Sequence, residues 1–413
     1  MKNFSLFLLL SCTILFSQCQ QADDNEPAPF DNAALDCNEQ LDACEVNAAS
    51  TAFGLNIFRE LHKEDPDNNI FISPLSISTA LSMTVNGAAG DTRSAMMQVL
   101  EQQNIDLNAV NQGYQQLLAL LPQLDESVIL QLANSIWYKQ GFQVRQPFLD
   151  TNETYYSSEV AALDFSDPSS VDVINGWVSD QTNGLIDNVL NSIPSDVVMY
   201  LINAIYFKGA WLHEFDPEET IPYPFQLQDG STTEIEMMGL GQRVLPYLET
   251  EHFQAVDLAY GDSIFTMSLI LPKPDVSMDA VVEELKAENW QSWAQSFSNR
   301  EILFGMPKFT LEYKESLRKV LTTMGMGIAF GDGNTDFSNI AQADLLIDDV
   351  IHQSFLEVNE AGTEAAAVTV VVIVETSVPL LPTVVLDRPF LFVIRENQGN
   401  GILFIGKLMN PNA

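Results

Sequence analysis

The chain has 413 residues, of which 46% are hydrophobic and 18% charged, so it can bury a sizeable core and is not an intrinsically disordered protein. Its 56 acidic and 18 basic residues give a formal net charge of -38, which repels the phosphates of nucleic acids and sulfated polysaccharides. We therefore exclude nucleic acid and heparin-type polyanions as partners.

Residues 1–19 resemble an export signal of the lipoprotein type. Lys2 supplies the positive start, and the apolar stretch 4–16 is too short for a bilayer, which needs about 20 residues. Cys19 is the expected site of lipid attachment, although Gln18 is bulkier than the residue usual before it; Cys12 is a second candidate. We expect a lipoprotein of the bacterial cell surface or outer membrane, or otherwise a secreted protein.

The rest of the chain divides into a tether and one domain. Residues 20–44 are predicted to form an acidic tether, and residues 45–413 contain no linker, repeat or low-complexity block. If Cys19 is acylated, Cys37 and Cys44 are the cysteines left in the mature chain. In an exported protein they can close a small disulfide loop, and two free thiols are the alternative. No histidine lies near them, so we predict no metal site there.

Helical patterns dominate the first half of the domain. The spacing of apolar residues predicts a helix over residues 48–62. Ser73 and Pro74 begin the next helix, since Ser73 can cap it and proline suits the first turn. A third helix is predicted to begin with Asp91 or Thr92 as its cap.

Strand-like segments follow the helices. Residues 129–138 and 199–207 are apolar on both faces, as expected of strands inside a covered sheet. Further strands are predicted over residues 265–271 and 302–313, and the Asn- and Gly-rich segment 395–401 is predicted to join the last two strands as a hairpin. The chain is therefore predicted to be an α+β protein.

Motifs of enzyme active sites are absent from the sequence. None of the four histidines lies in a metal-spaced pair, and there is no GxSxG, GxxxxGK[ST] or CxxC motif. Residues 332–336 loosely resemble a calcium-binding loop but lack its downstream glutamate, so a turn is the better interpretation. We predict no catalytic residues, no metal and no cofactor.

The most informative segment comprises residues 357–390. Small residues at 360–367 precede a β-branched run at 368–374, which has very high β-propensity. Pro379 and Pro382 then argue against an ordinary central strand and indicate an extended loop.

Alternation along this segment separates two faces. The odd positions from 363 to 373 are uncharged and small in the first half, whereas Glu364 at an even position needs water. One face could therefore enter a packed interior while the other stays outside. An ordinary buried strand that follows an Ala-rich helix end is the alternative.

This segment resembles the reactive-centre loop of the serpins, whose proximal hinge has the form E-x-G-T-E-A-A-A-x-T. The residues that match the hinge are Glu360, Gly362, Thr363, Glu364, Ala365, Ala366, Ala367 and Thr369. The resemblance covers nearly all of residues 45–413 in family order, and the matching segments include residues 69–77, 132–137, 202–211, 306–309 and 387–390.

The resemblance implies a serpin fold with three β-sheets, about nine helices and an exposed reactive-centre loop. It implies irreversible suicide-substrate inhibition of serine endopeptidases by a monomer: the cleaved loop inserts into the main sheet while the protease is held as a covalent acyl complex. The inward hinge positions carry no charge, proline or bulky group, which favours an inhibitor. A non-inhibitory serpin that acts as a binding protein is the alternative.

The position of the scissile bond follows from family spacing. Counting from Gly362 places it at Thr376-Ser377, and bonds at Val374 and Glu375 are alternatives because the loop is longer than the commonest form. The loop contains no Arg or Lys, so elastase-like or subtilisin-like targets are favoured over trypsin-like ones. Papain-like cysteine proteases are a further class of target.

The resemblance also assigns a role to polar residues beneath the main sheet. The residues that match the serpin shutter, where buried polar groups let strands part, are Ser73, Ser76, Asn203 and His352. The alternative is that they are satisfied core residues without a gating role. Trp211 and Phe215 are expected to pack near the point where the loop enters the sheet.

Overall fold

The computed structural model describes residues 35–363 and 381–413, which contain nine α-helices and fifteen strands. The helices are α1 (Leu41–Glu64), α2 (Pro74–Val85), α3 (Gly90–Val99), α4 (Leu107–Leu120), α5 (Gln146–Tyr156), α6 (Ser169–Gln181), α7 (Met278–Glu283), α8 (Ala287–Ala294) and α9 (Arg318–Leu321). The strands are β1 (Ile70–Ile72), β2 (Val128–Lys139), β3 (Glu159–Leu163), β4 (Met199–Ala210), β5 (Ile221–Gln226), β6 (Thr232–Glu249), β7 (Phe253–Ala259), β8 (Phe265–Pro272), β9 (Ser298–Pro307), β10 (Phe309–Ser316), β11 (Ile351–Asn359), β12 (Gly362–Thr363), β13 (Thr383–Val385), β14 (Phe390–Glu396) and β15 (Ile402–Leu408). The α+β prediction is confirmed.

The strands form two hydrogen-bonded networks. One is a six-stranded sheet in the order β10-β11-β12-β4-β2-β3, and the other has nine strands in the order β1-β15-β14-β8-β7-β6-β9-β13, with β5 paired to β6. The larger network combines two of the three expected sheets. The long strand β6 joins them, because it pairs with β5 before its bulge between Gly239 and Gly241 and with β7 after it.

The core lies between the two networks and around α1 and α2. Strands β8, β14 and β15 are buried along their whole lengths, as central strands covered on both faces must be. Phe71 stacks on Phe404 at 5.3 Å and packs against Phe392 at 5.7 Å. Helix α2 packs against both β4 and β15, so it lies directly beneath the six-stranded sheet.

The prediction of a single strand over residues 302–313 is wrong. The structure has two strands there, and they belong to different sheets: β9 pairs with β6, and β10 pairs with β11. The chain crosses from one sheet to the other at Lys308, whose N–H donates to the carbonyl oxygen of Glu236 at 2.8 Å. Apolar residues lie on both sides of Lys308, so the two strands can be mistaken for one in the sequence.

The helix starts are partly as predicted. Ser73 is the N-cap of α2 and accepts a hydrogen bond from an N–H of the first turn. The prediction that Asp91 or Thr92 caps α3 is wrong, because the N-cap is Ala89. The Thr92 hydroxyl instead accepts a hydrogen bond from the N–H of Asp336 at 2.9 Å, which ties α3 to a distant loop.

The segment before α1 is attached to that helix. The structure joins Cys37 to Cys44 by a disulfide, and α1 begins at Leu41, four residues before the domain boundary predicted from the sequence. The predicted signal peptide, with Cys12 and Cys19, lies outside the described residues. Among the residues described, no helix combines the length and the apolar character that crossing a bilayer would need.

Candidate functional site

The six-stranded sheet is parted between β4 and β11. Among the described residues, only β12 lies between them: Gly362 and Thr363 pair with Ala210 and Gly209 of β4 on one side and with the end of β11 on the other. Over residues 35–363 and 381–413, β4 and β11 share no register with each other. The facing edges of the two strands can therefore pair with an added strand.

A cleft of about 810 Å³ lies between the parted strands, at the end away from β12. Residues 199–204 of β4 form one wall and residues 350–353 form the other, while Ser76, Ala80 and Thr84 of α2 contribute to the floor. An elongated cleft with strand edges on two sides suits an extended segment of polypeptide. We therefore take it as the candidate functional site.

Three of the four predicted shutter residues are in contact. The Ser73 hydroxyl donates to the carbonyl oxygen of Leu403 at 2.8 Å and accepts from the N–H of Ser76 at 3.2 Å. The N–H of Ser73 donates to Nε2 of His352 at 3.2 Å. Asn203 lies on the opposite wall, where its side-chain amide donates to Oδ1 of Asn134 at 2.7 Å. The cleft thus separates Asn203 from His352, which lies in the other wall.

The buried imidazole of His352 is neutral at physiological pH. Its side chain is only 5% exposed, and this desolvation lowers its pKa from 6.5 to about 4. Because Nε2 accepts the hydrogen bond from Ser73, the neutral ring carries its proton on Nδ1. His352 therefore adds no charge to the wall of the cleft that would oppose the entry of an apolar strand.

Two buried acceptors in the walls of the cleft have no hydrogen-bond partner within the described part of the chain. They are Oδ1 of Asn203 and Oε1 of Gln353. An unpaired buried acceptor costs about 1–3 kcal/mol. A segment that entered the cleft with suitably placed donors would recover this free energy.

Aromatic residues hold the end of the sheet where β12 enters. Trp211 stacks on Tyr260 with ring centroids 4.4 Å apart, and its indole N–H donates to the carbonyl oxygen of Asn359 at 3.0 Å. The Tyr260 hydroxyl shares a hydrogen bond of 2.8 Å with Thr363. Burial raises the pKa of Tyr260, so the hydroxyl stays protonated. Phe215 packs edge-on against Trp211 at 6.4 Å.

The turn between β11 and β12 is fixed by charge and by shape. Lys308 lies 3.2 Å from one carboxylate oxygen of Glu360, and the Thr220 hydroxyl donates to the other at 2.9 Å. Burial raises the pKa of Glu360, but its backbone hydrogen bond, Thr220 and Lys308 together hold that pKa below the ordinary value. A side chain at Gly362, whose φ is +151°, would collide with the carbonyl oxygen of Gly209.

Reasoning from the sequence missed several of these groups. Nothing local marks Tyr260, Lys308 or Thr220, because each meets the hinge from more than 50 residues away. The predicted hinge residues that lie outside the described residues are Glu364, Ala365, Ala366, Ala367 and Thr369. The predicted scissile-bond residues Val374, Glu375, Thr376 and Ser377 also lie outside them.

The buried histidine predicts a pH dependence of stability. The pKa of His352 is lower in the folded than in the unfolded chain, so its contribution is full above pH 6.5 and is lost as the pH falls towards 4. Between pH 7.5 and 5.0 we expect the free energy of unfolding to fall by about 2 kcal/mol from this residue. Urea unfolding of the wild type and of His352→Gln at both pH values measures the difference. Equal losses in the two proteins would contradict the assignment.

The sequence of this chain matches a known protein family and its members. The family model described as "Serpin (serine protease inhibitor)" matches residues 48–411. The leukocyte elastase inhibitor of Sus scrofa is 33% identical over 380 residues, which are 89% of this chain and 100% of the relative.

Solved structures show the same similarity. The thermophilic serpin tengpin in its native state has a TM-score of 0.81 at 32% identity, over 88% of this chain and 94% of that chain. Human thyroxine-binding globulin, solved in complex with thyroxine, has a TM-score of 0.81 at 28% identity, over 90% of this chain and 99% of that chain.

Proposed function

The chain belongs to the serpin family of protease inhibitors, and from this membership we propose that it is an irreversible suicide-substrate inhibitor of serine endopeptidases. The main support for this proposal is the parted sheet. Strands β4 and β11 are separated, and the hinge strand β12 already pairs with both of them at one end. A protease would cleave the loop as a substrate and form an acyl-enzyme. The freed loop would enter the cleft as a strand and draw the protease along before the ester is hydrolysed.

The register of β12 indicates how the inserted loop would lie. Because the pairing is antiparallel on both sides, each residue after Thr363 steps one residue back along β4 and along β11. Continued in this way, Thr369 would lie opposite both Asn203 and His352. Its hydroxyl is suited to donate to Oδ1 of Asn203, which has no partner among the described residues.

The same register limits the length of the inserted strand. Residue 373 would lie opposite Met199, the first residue of β4. The predicted bond at Thr376-Ser377 comes three residues later, so cleavage there would release the whole segment that the cleft can hold. The alternative bonds at Val374 and Glu375 meet the same condition.

For the target we propose elastase-like or subtilisin-like proteases. The predicted cleavage region reads Val-Glu-Thr-Ser at residues 374–377, and the loop has no Arg or Lys for a trypsin-like pocket. One similar protein is named as an inhibitor of leukocyte elastase. Papain-like cysteine proteases remain a class to be tested.

A protease panel tests this function. Incubation with elastase or subtilisin is expected to give a complex that survives SDS, together with a released C-terminal peptide that begins at Ser377. Trypsin is expected to give neither product, because the loop contains no Arg or Lys at which trypsin could cleave. Gel electrophoresis and mass spectrometry provide the readouts, and cleavage in the loop without any SDS-stable complex would contradict inhibition.

A non-inhibitory binding protein is the second candidate function. It is favoured by the likeness to thyroxine-binding globulin and by a separate cavity of about 560 Å³ lined by residues of β6, β7, α8 and the β14–β15 turn. Arg395 and Asp257 form a buried ion pair of 2.6 Å in its lining. Cleavage of the loop without a complex and without a rise in Tm would favour this function over inhibition.

We further propose that the protein is exported and anchored to the bacterial surface through a lipid on Cys19. The short apolar stretch before this cysteine and the acidic residues after it support the proposal. Metabolic labelling with palmitate in a bacterial host should label the wild type and Cys12→Ser, but not Cys19→Ser. Equal labelling of the two variants would contradict attachment at Cys19.

A further inference from the structure

A disulfide fastens the segment before α1 to the first turn of that helix. Cys37 is exposed, and its partner Cys44 is partly buried in α1. Leu35, two residues before Cys37, is buried, and its N–H donates to Oε1 of Gln398 at 2.8 Å. A side-chain carbon at Gly399 would lie 3.0 Å from Leu35, so Leu35 packs directly on the turn between β14 and β15.

That turn supports the loop between β7 and β8, residues 260–264. The side-chain amide of Asn397 in the turn donates to the carbonyl oxygen of Ser263 at 2.7 Å. Tyr260, at the start of the loop, shares its hydrogen bond with Thr363 of the hinge. A series of direct contacts therefore leads from the disulfide-bonded segment to the hinge.

We propose that the Cys37–Cys44 disulfide is a redox-sensitive clip that secures the hinge in its position between β4 and β11. The closed disulfide restricts residues 35–44 and keeps Leu35 on the β14–β15 turn. With the disulfide open, the turn and the 260–264 loop are less constrained, and Tyr260 holds Thr363 less firmly. The inference rests on the proposed role of the hinge, but its test needs no protease.

The clip is opened by thiol–disulfide exchange. A dithiol attacks the exposed sulfur of Cys37 and forms a mixed disulfide, while Cys44 leaves as a thiolate that takes up a proton. The second thiol of the reagent then displaces Cys37 and closes the reagent's own disulfide. Two electrons and two protons have passed to the protein, which carries two thiols, and the dithiol is oxidised.

Hydrogen–deuterium exchange of the full chain tests the clip. In the wild type, dithiothreitol is expected to speed exchange about tenfold in peptides that cover residues 396–401 and 355–363. The double variant Cys37→Ser/Cys44→Ser should exchange at the fast rate with or without the reductant. Unchanged exchange at residues 355–363, with both thiols titrated as free, would overturn the proposal.

Substitutions that keep the disulfide separate the clip from general destabilisation. Leu35→Ala should speed exchange at both places, because the contact with the turn is lost although the disulfide is intact. Leu41→Ala is the matched control, since Leu41 is 58% exposed in the same segment, and it should leave exchange unchanged. Equal behaviour of the two variants would overturn the proposal. The expected exchange pattern would support the clip even if the protein formed no protease complex. The proposed clip and the proposed inhibition can therefore be refuted independently of each other.

Discussion

Arginine at Ala365 is expected to convert the inhibitor into a substrate, whereas arginine at the neighbouring Glu364 should leave inhibition intact. Thr363 faces the core between β4 and β11, where it is 2% exposed and hydrogen-bonded to Tyr260. Because side chains alternate along a strand, position 365 of an inserted loop would face the same interior, and position 364 would face water. Ala365→Arg would therefore bury a charge without a partner, at a cost of several kcal/mol.

The two variants are compared with a protease that forms a complex with the wild type. Both loops should be cleaved at the wild-type rate, because the substitutions lie at least nine residues before the predicted scissile bond. The yield of SDS-stable complex should fall at least about tenfold for Ala365→Arg and stay unchanged for Glu364→Arg. Loss of the complex in both variants, or in neither, would contradict the prediction that residue 365 of the inserted loop faces the interior and residue 364 faces water.

Local signals in the sequence were sufficient for much of the fold. Ser73 followed by Pro74 marks the start of α2 because capping depends only on neighbouring residues. Strands β2 and β4 were found from runs of apolar residues on both faces, and the Asn- and Gly-rich turn 395–401 marked the β14–β15 hairpin. Each of these signals lies within the element that it predicts.

Features that depend on tertiary structure were missed. Apolar residues alternate at even positions in β9 and at odd positions in β10, so the phase shifts at Lys308, but only the pairing with distant strands shows that the chain changes sheets there. The Thr92 hydroxyl is a good helix cap by composition, but a loop residue 244 positions away uses it. Propensity alone does not indicate such competition between local and distant partners.

In the candidate site, too, some features are marked by the local sequence and others depend on tertiary structure. The hinge could be located from its resemblance to a family motif, which is one continuous segment, whereas the contact of Ser73 with His352 joins residues 279 positions apart. Within the sequence, only the resemblance to a family links these two residues. Oδ1 of Asn203 and Oε1 of Gln353, which have no hydrogen-bond partner among the described residues, could be identified only from the cleft in the structure.

Cleavage of the loop is expected to make the protein much more stable. Insertion would bury about six apolar side chains and contribute about 10 kcal/mol, which is comparable to the net stability of about 5–15 kcal/mol of a whole domain. For a domain of this size the Tm should rise by more than about 10 °C. Calorimetry of intact and nicked protein measures the rise, and nicked Ala365→Arg, whose loop should not insert, is the control. An unchanged Tm of the nicked wild type would contradict insertion.

The place where the loop inserts is tested most directly by hydrogen–deuterium exchange before and after a single cleavage in the loop. In the nicked protein, amides of β4 and β11 are predicted to exchange at least about a hundredfold more slowly, because an added strand pairs with both edges. Strand β7, which is already paired on both sides, should not change. If β4 and β11 exchange as fast after cleavage as before it, no strand has entered between them, and the proposed mechanism of inhibition is wrong.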